Sequence, residues 1–264
     1  MPTEDKMPFF GHLEELRKRL ISSFLAIGVG FALCFHFSES ILGFLLGPLN
    51  HHLVLIRKYP FLTYSFRPEV PSLIFLAPAE AFWVHMKLAF FAAVFLALPF
   101  LFYQVWLFVS PGLLPKEKRY VVPFVVLSTF QFAVGSAFCL FIVLPFAFQF
   151  LLTYKTEHLR PMLSIGNYFD FSLKFLLAFG LIFELPLAMV LATRLGFLTP
   201  EFLARNRKYA ILVNFVLAAI LTPTPDVFNQ SLMAIPLCIL YEVGIFGSRL
   251  MRKRKTAEEE TPSD

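Results

Sequence analysis

One carboxylate in the middle of a long apolar run constrains this chain more than any other feature. Residues 173–195 read LKFLLAFGLIFELPLAMVLATRL, with Glu184 near the centre. A helix that crosses a bilayer needs about 20 mostly apolar residues, so this run is long enough. An ionised carboxylate at that depth costs at least ~2.5 kcal/mol unless a bundle interior or a wet cavity receives it. Two residues on, Pro186 removes a backbone donor, which bends a helix close to the carboxyl. A polar group beside a bend points to a concave wall rather than a lipid-facing rod. The bland alternative is a neutral or helix-paired glutamate that only assists packing.

The rest of the chain agrees with a membrane setting. Its 264 residues are 58% hydrophobic and only 16% charged, with mean hydropathy +0.70. Soluble domains are nearer 45–50% apolar and about 25% charged. An all-α integral membrane protein of one domain, residues 1–250, is expected, with no second, soluble domain. Residues 1–20 are polar and then amphipathic: Phe9, Leu13, Leu16 and Leu20 recur at helical spacing. Glu14 with Lys18, and Glu15 with Arg19, form i,i+4 pairs in the favourable order. The first apolar run has no small-x-small cleavage site after it and reads as a retained span.

Six spans are expected, at about 21–37, 81–108, 120–152, 167–195, 209–221 and 231–246. Residues 38–80 form an extra-cytoplasmic cap loop, and Pro78 and Glu80 mark the start of the second span. The last two spans are short, about 20–24 Å at 1.5 Å per residue, against a hydrocarbon core of about 30 Å. They form either a re-entrant hairpin or two crossings of a locally thinned bilayer. The second reading fits the flanking charges better. Lys and Arg concentrate at Arg17–Arg19, Lys116–Arg119, Arg194–Lys208 and Arg249–Lys255, which puts both termini in the cytoplasm. The cluster from Arg249 to Lys255 serves as a positive-inside anchor rather than a nucleic-acid site, and residues 251–264 read as a disordered cytoplasmic tail.

Little here supports bond-making chemistry. There is no Walker A pattern and no H-E-x-x-H spacing, and Cys34, Cys139 and Cys238 lie in apolar runs as small hydrophobes. No metal or cofactor is expected. Gly135-Ser136 lacks both the Gly-x-Ser-Gly turn and the deep histidine of an intramembrane serine protease. A proton-coupled small-molecule secondary transporter, with Glu184 as proton carrier, is the alternative function; the two halves of the chain show no correspondence that would favour it. What remains is a cytoplasmic face with carboxylates in a basic setting, Glu15 and Glu117. Such acids can receive paired guanidinium groups bidentately.

Several motifs together resemble the TatC family, the multispanning subunit of the twin-arginine protein translocase. They are His12-Leu13-Glu14-Glu15-Leu16-Arg17-Lys18-Arg19-Leu20; Pro48; Pro78-x-Glu80-x-Phe82; Tyr103-Gln104-Val105-Trp106-x-Phe108-x-x-Pro111-Gly112-Leu113; Phe183-Glu184-x-Pro186; and Thr222-Pro223-x-Pro225-Asp226-x-x-x-Gln230. The resemblance covers all six expected spans in order. It implies a non-enzymatic receptor in the inner membrane of a prokaryote that recognises Arg-Arg signal peptides and exports folded proteins on the proton-motive force. Its implied partners are single-span TatA and TatB proteins, membrane lipid and further TatC copies, with no nucleic acid. Carried over by position, Glu15 and Glu117 would contact the twin arginines, with Phe108, Pro111 and Leu113 shaping the adjoining turn. Glu184 would lie in the concave cavity. Thr222 and Gln230 would join a polar cluster where partner helices dock, and Pro48, Pro78, Glu80, Pro186 and Asp226 would be structural. Thr224 makes the last turn one residue longer than the family's Thr-Pro-Pro-Asp form, so the polar-cluster role falls to Thr222 or Thr224.

Overall fold

The computed structural model describes residues 9–55, 62–66, 73–109, 121–153, 162–221 and 227–260. Helices dominate: α1 (Phe9–His36), α2 (Ser38–Leu45), α3 (Gly47–Asn50), α4 (Glu80–Val109), α5 (Val121–Phe138), α6 (Leu144–Thr153), α7 (Ile165–Phe183), α8 (Leu185–Arg194), α9 (Pro200–Arg205), α10 (Arg207–Leu221) and α11 (Val227–Glu260). Among the described residues, five stretches are long and apolar enough to cross a membrane: Leu13–His36, Glu80–Phe108, Val121–Leu152, Ile165–Arg194 and Met233–Met251. Helix α10 has 15 residues, about 22 Å at 1.5 Å each, and falls short of a bilayer core. The expected helical membrane fold is the one observed.

The chain separates into two units, Met1–Phe44 with Leu76–Thr129, and Leu45–Phe75 with Phe130–Asp264. In the first unit α1 packs along α4. Small residues make this possible: Ala89, Ala93 and Ala97 are buried at four-residue steps on α4, and a Cβ on Gly30 would lie 3.4 Å from Ala93. Without a hydrophobic force between helices in lipid, such small faces let backbones approach and gain van der Waals contact. Helix α1 runs unbroken from the amphipathic segment into the first apolar run, so helix and span are one rod. Helix α4 starts where Glu80 Oε2 accepts hydrogen bonds from the backbone N–H groups of Leu76 and Ala77, just before and across the turn containing Pro78.

The second unit holds the cap. Here the structure adds strands to the loop expected at 38–80. Strand β1 (His51–Leu55) pairs antiparallel with β2 (Leu62–Phe66), His51 opposite Phe66 and Leu55 opposite Leu62. Strand β3 (Leu73–Ile74) pairs in parallel with β4 (Leu163–Ser164), tying the cap to the start of α7. The buried Tyr168 hydroxyl donates to the Leu45 carbonyl at 2.7 Å, and its ring stacks on Phe148 at 4.8 Å. Pro145 follows a π-helical turn, Cys139–Val143, where the Leu144 N–H reaches back to the Cys139 carbonyl. Such a bulge lets a helix absorb the donor that proline lacks. At the C-terminal end, α11 continues to Glu260, carrying helix into the stretch read as a disordered tail. Its Lys, Arg, Ala and Glu residues are strong helix formers.

Candidate functional site

Glu15 sits on α1 because the helix places it one turn before Arg19. Arg19 NH2 lies 3.2 Å from Glu15 Oε1, and Arg19 NH1 donates to Gln104 Oε1 on α4 at 3.3 Å. The Glu15 side chain is 18% exposed, and Gln104 is buried. The second carboxylate oxygen, Glu15 Oε2, is buried and accepts no hydrogen bond from any described residue; Arg19 Nε likewise finds no acceptor. Among the described residues the acid is therefore held by one loose bond on one oxygen, with its other oxygen unsatisfied. Two residues further along α4, Trp106 is buried and packs on Phe124 with ring centroids 4.5 Å apart. Phe108 is half-buried near the end of α4. Glu117, Pro111 and Leu113 lie outside the described residues.

In the second unit Glu184 occupies the break between α7 and α8. Its own φ of −70° and ψ of −14°, and the bond from its N–H to the Leu181 carbonyl, tighten the chain there. Pro186, buried in the first turn of α8, has no N–H for the carbonyl four residues back. Neighbouring helix α5 completes the break. Gln131 Nε2 donates to the Phe183 carbonyl, and Ser136 Oγ donates to the Leu176 carbonyl at 3.1 Å. A Cβ on Gly135 would lie 2.7 Å from the Phe179 carbonyl oxygen, and one on Gly180 would lie 2.5 Å from the Phe132 ring. These contacts explain Gly135-Ser136 as packing surface. Glu184 itself is half-buried.

Helices α10 and α11 form the third candidate region. Gln230 Nε2 donates to the Phe215 carbonyl at 3.1 Å, joining the two helices near their connection. Midway, the buried Asn214 points its Nδ2 at Cys238 Sγ, 3.7 Å away. At the other end Arg207 forks onto Glu242 at 2.7 and 2.9 Å, and Tyr241 donates to the Leu203 carbonyl. An open apolar groove of about 570 Å³ runs along these helices, lined by Phe215, Ile235, Ile239 and Phe246 among others. Thr222, Thr224 and Asp226 lie outside the described residues, as does the side chain of Pro48. No cluster of potential metal ligands occurs among the described residues.

Sequence reasoning missed the bond that joins Arg19 to Gln104 (there only one residue of a motif), the role of Gln131, and the Arg207–Glu242 pair. All three are contacts across 35 residues or more, which no local spacing reveals.

The family model of the Sec-independent protein translocase protein TatC matches residues 11–236. A TatC of Desulforapulum autotrophicum is 46% identical over 261 residues, covering 99% of this chain and 91% of that protein. The TatC of Escherichia coli K12 is 37% identical over 260 residues, covering 98% and 95%. The crystal structure of the twin arginine translocase receptor TatC superposes with a TM-score of 0.73 at 37% identity, covering 91% of this chain and 99% of that one. These similarities extend across the spans, the Glu15 helix and the Glu184 break alike, and they set aside the small-molecule transporter. The chain belongs to the TatC family: it is a non-enzymatic protein-transport subunit of the inner membrane.

Proposed function

We propose that this chain is the receptor and core subunit of a twin-arginine translocase. On this reading Glu15 and Glu117 take the two guanidinium groups of an Arg-Arg signal peptide, beside a turn shaped by Phe108, Pro111 and Leu113. The observation that carries the reading is the Glu15 carboxylate, half-held by Arg19 and with a buried oxygen unsatisfied among the described residues. A buried acceptor without a donor costs about 1–3 kcal/mol, which an incoming charge-assisted hydrogen bond recovers. The chain crosses the membrane six times with both termini cytoplasmic, the short α10 being accommodated by a thinned bilayer. Glu184, Thr222 or Thr224, and Gln230 face TatA- and TatB-like helices, several copies of this chain assemble, and the proton-motive force drives export. Pro48, Pro78, Glu80, Pro186 and Asp226 shape the backbone around these sites.

The test is photocrosslinking in membrane vesicles, with the photoreactive residue in the signal peptide beside its arginine pair. Glu15→Ala and Glu117→Ala should each abolish the crosslink to this chain while the protein still inserts. Normal crosslinking of both variants would refute the site assignment.

A further inference from the structure

Two Arg–Glu pairs among the described residues differ sharply in quality. Arg207 meets Glu242 as a fork, with both nitrogens at 2.7 and 2.9 Å, the geometry and length of a strong charge-assisted pair. Arg19 meets Glu15 through one nitrogen at 3.2 Å, turns a second toward Gln104 at 3.3 Å, and leaves its Nε and the Glu15 Oε2 without partners among the described residues. Spacing i,i+4 on one helix lets the two side chains touch. The further bond to Gln104 draws the guanidinium aside, so that it covers only one edge of the carboxylate.

From this contrast we infer that Arg19 is a resident competitor for the signal peptide's arginine at Glu15. It neutralises the carboxylate while the receptor is empty and must give way when a peptide guanidinium arrives. The inference rests on the receptor reading of Glu15 and adds its regulation. An incoming fork can use both carboxylate oxygens, whereas the resident uses one, so exchange favours the peptide. The displaced Arg19 keeps Gln104 as an acceptor and is not stranded. Thermodynamically, a resident group lowers the affinity of every ligand for Glu15 by the same factor, because only the fraction of sites without it is competent. Arg-Arg and Lys-Lys peptides are therefore weakened in parallel. The gap between them stays constant, and the whole scale moves so that only the tighter ligand reaches occupancy at working concentrations.

The experiment titrates the crosslinked signal peptide against vesicles carrying the full chain or Arg19→Gln, using Arg-Arg and Lys-Lys peptides, at low and at about 1 M salt. Removing the resident should lower the half-saturating concentration of both peptides in parallel, about fivefold, the equivalent of ~1 kcal/mol for a partly exposed pair. The gain should persist at high salt, where through-space repulsion beyond ~3 Å is screened. Arg19→Lys keeps the charge but loses the bond to Gln104; it should shift the curves in the same direction by less. It stands in should the glutamine variant fail to insert. Unchanged or weakened binding in the variant that inserts would overturn the inference, making Arg19 a support for Glu15. A gain that vanishes at high salt would also overturn it, in favour of simple charge repulsion. Failure of the parent chain to crosslink in an arginine-dependent way would instead sink the receptor reading, and the inference with it.

Discussion

Replacing Gly135 by alanine tests the packing that fixes the Glu184 break. The added Cβ would stand 2.6 Å from Phe183 Cγ, 2.7 Å from Phe183 Cβ and 2.7 Å from the Phe179 carbonyl oxygen. A rotamer change cannot relieve a clash with a backbone oxygen, so α5 and α7 must move apart. Overpacking of this kind costs about 1–3 kcal/mol, and contact with backbone puts Gly135 at the upper end. Alanine returns ~1 kcal/mol through its better helix propensity, leaving a net loss of ~2 kcal/mol. At roughly 2–4 °C per kcal/mol for a chain of this size, the unfolding midpoint should fall by about 4–8 °C. The assay is thermal loss of the monodisperse species in detergent, followed by size-exclusion chromatography. Gly28→Ala is the control, since a Cβ there meets nothing within 4 Å; it should leave the midpoint unchanged or raise it. A Gly135→Ala protein as stable as the parent would refute the close approach of the two helices.

Two further perturbations follow from single contacts. Tyr168→Phe removes the buried hydroxyl bonded to the Leu45 carbonyl and should cost ~1 kcal/mol in the same assay by leaving that buried carbonyl short of a donor. Arg207→Ala and Glu242→Ala break a solvent-exposed pair and should each lower the midpoint by less than Gly135→Ala does; the double variant should match either single one, and the differences should shrink as salt is raised.

What could be read from the sequence was what local spacing encodes. Glu15 and Arg19 were legible as an i,i+4 pair, and Glu184-x-Pro186 as a break, because both are properties of one helix. The hairpin β1–β2 was not legible: its strands lie in a polar, proline-bearing stretch and alternate too briefly to outweigh those turn signals. The continuity of α1 was blurred for the opposite reason. Its composition changes from polar to apolar at Leu20 while its backbone does not change at all. Gln104 and Gln131 were invisible as partners because Gln104 accepts from Arg19, 85 residues away, and Gln131 donates to Phe183, 52 residues away. A glutamine in an apolar span announces only that something must satisfy it.

Partners distant in sequence also govern how Glu184 is presented. Pro186 alone would bend the helix somewhere near the carboxyl, since proline kinks vary with whatever packs beside them. Here α5 supplies the missing constraints: Gln131 takes up the Phe183 carbonyl, Ser136 the Leu176 carbonyl, and Gly135 admits the Phe183 side chain against the α5 backbone. These three α5 residues lie within six positions, so one face of that helix grips α7 over the two turns before Glu184. The direction of the carboxyl is thus a joint property of α5 and the α7–α8 break. A substitution on α5 that loosens the grip should therefore disturb whatever Glu184 contacts, although no α5 residue need touch that contact itself.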